Sequence, residues 1–535
     1  KVGLDEGNRI IEFLEDEALL GDLDGDIRLL LFEQVRDTVA RHTKFPNSEW
    51  AMSAEQRTRL HNLGELLMPV DDLRMFTYLF KWHPILSDVD MNDHENYRTV
   101  LETKRHEAFD TLFDGSEAWE QLSAIAVRAE APSQLGWALS TYKSVDALDA
   151  MLKWLVSDNR ALQEGASNWV RNYLFINGPA ALKRVLERED VGGESLRRLV
   201  LNIPAESRFW EVLQDFPTAE DDFWSEAPFT IVSDEDLTRA LEMLLERGRA
   251  WSAIEIASYG VFNPAEVQNE HLPRATLVLS VLRAALTQDP GSAGIPSGAG
   301  HHVGVLLDYL VASDLPVADL VPLEFHYFTL LQHHREPHAL NQILSSDPAL
   351  FVDFVQRTYR GANDTNYQRH SEEPLNKQAS LVLHSWLGFP GQQQDGTIDQ
   401  AGMEEWVSQA RQQLSDIDRS DIGDQLIGNA FAFAPADADG TWPPVPVRDL
   451  IESVRSQHLE KGTVTGRINS RGITSRGIYD GGDQERTLAS QYKQWSQKVQ
   501  LRWPRTARVL RDIANYYERD AAREDGQAQL DQDLD

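Results

Sequence analysis

Residues 234–259 read DEDLTRALEMLLERGRAWSAIEIASY, and this stretch decides the fold. Leu237, Leu241, Leu244 and Leu245 recur at the spacing of one helix face, and Trp251, Ile254, Ile256 and Ala257 give a second run. Glu246-Arg-Gly-Arg-Ala250 supplies the turn between them. Two short helices joined by so tight a turn pack antiparallel. A single hairpin cannot bury its apolar faces, so hairpins of this kind stack on one another.

The same rhythm extends both ways. Upstream, Pro132–Tyr142, Ser144–Val156, Asn159–Phe175, Pro179–Arg188, Gly193–Leu201 and Ala205–Phe216 each read as one helix. Several open on Ser, Asn or Pro, the residues that favour helix starts. Nearer the beginning, Asn8–Leu20, Asp26–His42, the run after Ser53, Asp71–Lys81 and Asp93–Phe113 carry helical periodicity. Downstream, Glu485–Trp503 and Pro504–Asp520 form a last pair. Four stretches rich in Gly, Pro or polar residues read as boundaries or surface loops: Gln288–Gly300, Gly361–Pro374, Phe389–Gly396 and Ala434–Pro446. Phe229–Val232 and Thr463–Ile468 favour β structure but are too short to alter the class. No strict repeat period is found.

The expected fold is all-α: an irregular, HEAT-like α-solenoid of stacked helical hairpins with a helical C-terminal subdomain. Several unrelated helical domains in series is the alternative. The rhythm divides the chain into an N-terminal helical region (1–118), a hairpin array (119–287), a second helical region (301–433) and a C-terminal basic loop with a helix pair (447–535).

Composition narrows the function classes. No window approaches eighteen uninterrupted apolar residues, so no membrane-spanning helix is expected. The chain has no cysteine, which excludes disulfides and thiolate chemistry and fits a cytoplasmic location. It starts at Lys1 without a signal-peptide pattern, and its abrupt amphipathic opening fits a piece of a longer protein. The net charge is −34, and arginines outnumber lysines 40 to 11. Such a surface repels nucleic acid and anionic lipid over most of its area. A salt-adapted or GC-rich host accounts for it, as does a basic partner.

Chemical motifs are sparse. Histidines gather at His301, His302, His326, His333, His334 and His338, but Pro337 interrupts the one pair with metal-ligand spacing, His334 and His338. Three Asp-Gly turns, at Asp22–Asp26, Asp395–Asp399 and Asp437–Gly440, fail the calcium-loop pattern. No phosphate loop, dinucleotide fingerprint, nucleophile elbow or zinc-protease helix is present. No catalytic residue, metal ligand or cofactor is therefore assigned.

One region differs. Between Lys461 and Arg519 there are 12 basic and 5 acidic residues, a local net of +7 against −41 elsewhere. Arg467, Arg471 and Arg476 sit among glycines and hydroxyl residues in Gly466–Gly477, and Arg505, Arg508 and Arg511 recur every third residue in the last helix. Guanidinium groups beside free backbone N–H groups can hold a phosphate or carboxylate. These six arginines are the candidate anion- or partner-binding residues. An intramolecular role, neutralising the acidic helices, competes with that reading.

Trp251–Ala257 after Arg247-Gly-Arg249, Leu323–Leu331, Asp347–Arg360, His384-Ser-Trp-Leu387, Asn469–Glu485 and Trp503-Pro-Arg-Thr-Ala-Arg508 together resemble the C-terminal helical region of large uncharacterised bacterial proteins, some linked to defence. The resemblance spans residues 234–525, brings no assigned activity with it, and implies the helical sensor or scaffold part of a longer polypeptide. The expected function is a non-catalytic protein-recognition or scaffold module whose partner is a protein, held by the solenoid surface or the arginine-rich loop. A nucleic-acid- or phosphate-binding component is one alternative. A self-assembling structural protein is another, and the oligomeric state stays open.

Overall fold

The computed structural model describes residues 12, 23–45, 48, 50–68, 76–86, 93–229, 232–261, 275–289, 295–313, 315–332, 334–363, 373–393, 395–472, 477 and 480–534. Outside them lie most of the expected Asn8–Leu20 helix, the first half of Asp71–Lys81, Thr230 and Ile231, the middles of Gln288–Gly300 and Gly361–Pro374, His333, Arg476 and Tyr479. The described residues hold twenty-five α-helices and no strand, with one isolated bridge between Gln392 and Ile398. The chain is all-α, as its periodicity predicts. None of the described helices is long and apolar enough to cross a membrane.

The chain divides into two compact units between Arg247 and Gly248, within the turn expected in residues 234–259 and inside the segment expected to be one array, 119–287. The first holds α1 (Gly25–Lys44), α2 (Ala54–Leu67), a 3-10 turn (Tyr78–Phe80), α3 (His94–Phe113), α4 (Ala118–Arg128), α5 (Pro132–Thr141), α6 (Leu148–Leu155), α7 (Arg160–Asn177), α8 (Pro179–Leu186), α9 (Gly193–Val200), α10 (Ser207–Leu213), α11 (Pro217–Glu226) and α12 (Asp234–Glu246). The second holds α13 (Ala250–Gly260), α14 (Ala275–Thr287), α15 (Ala299–Val311), α16 (Val317–Leu331), α17 (His338–Ser346), α18 (Pro348–Thr358), α19 (Pro374–Ser385), α20 (Gln400–Asp416), α21 (Ser420–Ala430), α22 (Val445–Val454), α23 (Gln457–Asn469), α24 (Asp483–Val499) and α25 (Pro504–Leu534).

Local chemistry sets many of these ends. Ser53 and Gln56 form a reciprocal capping box at α2: Gln56 N donates to Ser53 Oγ at 3.2 Å and Ser53 N to Gln56 Oε1 at 3.1 Å. Asn159 Oδ1 accepts from Ala161 N at 2.9 Å and starts α7 where the sequence placed a helix start. Proline opens α5, α8, α11, α18 and α19, where its missing N–H is not needed.

Packing runs between chain neighbours. In the first unit α1 lies on α2, α5 and α6 on α7, α8 on α10, α9 on α11, and α11 on α12. In the second, α13 lies on α14 and α15, α15 on α16, α16 on α17 and α19, α18 on α19 and α20, α21 on α23, and α24 on α25. Each unit is thus an irregular stack of helices that touch their near successors. Aromatic pairs fill the cores: Phe80 stacks on Phe109 with ring centres 6.0 Å apart, and Trp210 meets Trp224 edge-on at 5.0 Å. Phe351, Trp386 and Trp406 anchor the larger core of the second unit.

Two helix crossings are closer than side chains normally allow. A Cβ on Gly136 of α5 would overlap the backbone of Gly165 in α7. In the second unit Gly428 of α21 faces the Leu459 carbonyl, and Gly462 of α23 faces the Gln425 carbonyl; a Cβ on either would collide with backbone. Thr463–Ile468, which favours β structure on residue type, is helical: Gly462 just before it and Gly466 within it let α23 lie against α21. Ala434–Pro446 is also more than a surface loop. Trp442 is buried and its Nε1 donates to Ala434 O at 3.2 Å, while Arg448 Nη2 reaches Asp437 Oδ2 at 2.7 Å.

His302 ties α15 to α13: its Nδ1 lies 2.6 Å from Ser258 Oγ. Burial, the largest influence, lowers its pKa; Glu255 opposes that shift and His301 adds to it. Below its ordinary pKa of about 6.5 the unfolded chain binds this proton more readily than the folded one. Stability in the second unit should therefore fall as pH drops from 7 to 5. His302→Gln should flatten that part of the profile in pH-dependent thermal melts, and an unchanged profile would exclude His302 as its source.

Candidate interaction site

The arginines of the basic region sit on α23, α24 and α25. Arg467 lies in the last turn of α23, so the expected arginine loop begins as helix. Its Nε donates to Tyr492 Oη at 2.8 Å, its Nη1 to Ala432 O at 3.1 Å, and its guanidinium lies 4.6 Å from the Trp442 ring centre. Arg471 follows the helix end. Its Nη1 is 2.6 Å from Glu485 Oε1, a carboxylate with 0% exposure, and its guanidinium lies over the Tyr517 ring. Burial pushes the Tyr517 phenol up to about 12. Arg476 is outside the described residues.

On α25, Arg505 Nη1 reaches Glu460 Oε1 at 2.6 Å, and Arg508 pairs with the other oxygen of the same carboxylate. The hydrogen bond to Glu460 is the main reason the Arg508 pKa is raised. Glu452 of α22 accepts from Arg505 N at 2.8 Å and Thr506 N at 2.9 Å, so a carboxylate from another helix caps α25. Arg511, one turn on, is exposed. The structure therefore brings Arg505 and Arg508 together on Glu460, places Arg467 and Arg471 around Tyr492 and Tyr517, and leaves Arg511 at the surface. Of their counter-charges, Glu485 lies inside the basic region, while Glu460 and the capping Glu452 lie just before it in the acidic remainder of the chain.

Beside this cluster opens a groove of about 360 Å³ between α19, α21 and the end of α23. Phe351, Leu383, Leu387 and Phe433 give it apolar walls, while Asn429 and Asn469 supply amides. Gly466 and Gly472 line it as well, so it adjoins Arg467 and Arg471. Asn429 Oδ1 is buried with no hydrogen-bond partner among the described residues. Leu387 is half exposed at the mouth. His384, also lining, has its Nε2 3.1 Å from Tyr359 Oη. Sequence reading missed this groove because its lining, from Phe351 to Gly472, comes from four helices spread over more than a hundred residues.

Among the described residues, no three His, Asp or Glu side chains gather so as to hold a metal ion. The groove offers apolar walls and side-chain amides, and beside it stand Arg467, engaged by Tyr492, Ala432 O and Trp442, and Arg471, paired with Glu485. No protein-family model, curated protein or solved structure matches this chain.

Proposed function

We propose that this chain is a non-catalytic protein-recognition scaffold, and that the groove between α19, α21 and α23 receives an extended segment of a protein partner. The groove's apolar walls, with Leu387 half exposed beside them, carry the reading. Apolar side chains of that segment would cover Leu387 and Phe433. Nucleic acid or phosphate held by the arginines is the competing reading. Against it, Arg467, Arg471, Arg505 and Arg508 already have partners within the chain.

A photo-reactive residue placed at Asn469 in the producing cell is the test. It should capture a defined protein that the same residue at exposed Glu211 in the first unit does not. Leu387→Asp should abolish capture while leaving the melting temperature unchanged. Identical products from both positions, or capture unaffected by Leu387→Asp, would defeat the proposal.

A further inference from the structure

The turn between α1 and α2 is a basic, aromatic spot on an acidic chain. Residues 41–59 hold four basic and two acidic residues, a local net of +2 against −36 for the rest. Two large rings stand open there: Phe45 is 46% exposed and Trp50 48%.

The turn is held from several sides. Ser48 N donates to Phe45 O at 3.2 Å, and Ala51 N to Ser48 O at 2.8 Å. Arg57 of α2 donates from Nη1 to His42 O at 3.1 Å, and the capping box at Ser53 fixes where α2 starts. Trp50 meets the steeply inclined rings of His42 and Phe45, with ring centres 5.2 and 5.8 Å away. The indole is thus braced by two rings, with about half its surface left to solvent.

Positive charge surrounds it. Lys44 Nζ lies over the Phe45 ring, 5.6 Å from its centre. Arg41 and Lys44 are exposed and pair with no carboxylate among the described residues. Met52 N donates to His42 Nδ1 at 3.1 Å, so the neutral imidazole carries its proton on Nε2. Burial first, then Arg41 and Arg57, hold the His42 pKa below its ordinary value, so cations dominate the field at this ring.

An open indole among cations suits a group that joins a flat π-face to a negative charge, as a nucleotide does. The rest of the chain selects its form. A duplex hides its base faces and, like an anionic membrane, brings dense charge against the acidic surface. A single strand can touch the turn alone, because at about 0.1 M salt charges more than about 10 Å away are largely screened. An acidic peptide would meet the cations but leave the indole uncovered.

We infer that the α1–α2 turn binds single-stranded nucleic acid, with a base stacked on Trp50 and adjacent phosphates on Arg41, Lys44 and the His42 Nε2–H.

Fluorescence anisotropy of a labelled oligothymidylate with the full chain, at about 0.1 M salt, tests the inference. The strand should bind saturably. An abasic strand with the same backbone should bind roughly tenfold more weakly, the worth of one stacked base. Trp50→Ala should weaken the oligothymidylate by the same factor and leave the abasic strand unchanged, and Trp50→Phe should restore most of the loss. Arg41→Gln with Lys44→Gln should weaken both strands. Arg502→Gln with Arg511→Gln, in the C-terminal basic region, should alter neither. Should Trp50→Ala unfold, Trp50→Phe and the ratio of the two strands on the unmodified chain still decide. No strand binding, equal affinity for the abasic strand, or a loss confined to the C-terminal variant would each overturn the site. Tighter binding of the matching duplex or of phosphatidylserine vesicles would do the same.

Discussion

Gly462→Ala is expected to destabilise the second unit by about 3 kcal/mol, the upper range for forcing atoms into a packed interface. For a unit of this size that lowers the melting temperature by on the order of 10 °C. The added Cβ would fall on the Gln425 carbonyl, and the only relief is to lift α23 from α21. Gly428→Ala should behave alike, because its Cβ meets Leu459 O. Gly526 in α25 gives the control: nothing stands within 4 Å of a Cβ there. The same substitution at Gly526 should stabilise by about 0.5–1 kcal/mol through helix propensity alone. Differential scanning calorimetry distinguishes the two. A Gly462→Ala protein that melts as high as Gly526→Ala would show that the close crossing does not exist.

The second large effect is expected at Arg471. Replacing it with Leu removes the cation from Glu485, a carboxylate with no exposure, and should lower stability by about 3–5 kcal/mol. Glu485→Leu should cost less, since Arg471 keeps some solvent access and can turn outward. The double variant should recover much of the loss, because neither charge is then left alone. This cycle also bears on function. If Arg471 served an external anion, its removal would leave chemical denaturation untouched and weaken only binding.

These two sites show which parts of the molecule the sequence discloses. The helices were legible because their signals are local: Ser53 with Gln56, Asn159 before α7, Pro504 before α25 and the leucines of α12 all act within a few residues. α11 escaped notice because Pro217–Glu226 is mostly acidic and polar outside its buried Phe223 and Trp224. The start of the arginine loop proved helical because Gly462 and Gly466 look like helix breakers until α21 is beside them. The roles of the arginines were illegible for a similar reason. Arg505 and Glu460 are 45 residues apart, and composition alone does not separate a solvated cation from one already paired. The groove beside Asn429 is also a product of tertiary arrangement.

The neighbour-to-neighbour packing of each unit carries a kinetic consequence. The principal partners of every helix lie within three helices along the chain, so few pairings require closing a long loop. Topologies of that kind sit at the fast end of folding rates, and they suit assembly during synthesis. Each hairpin can find its support soon after it leaves the ribosome. The crossing of α21 on α23 departs from that pace only where a Cβ intrudes, which makes refolding speed a second readout of the same glycines.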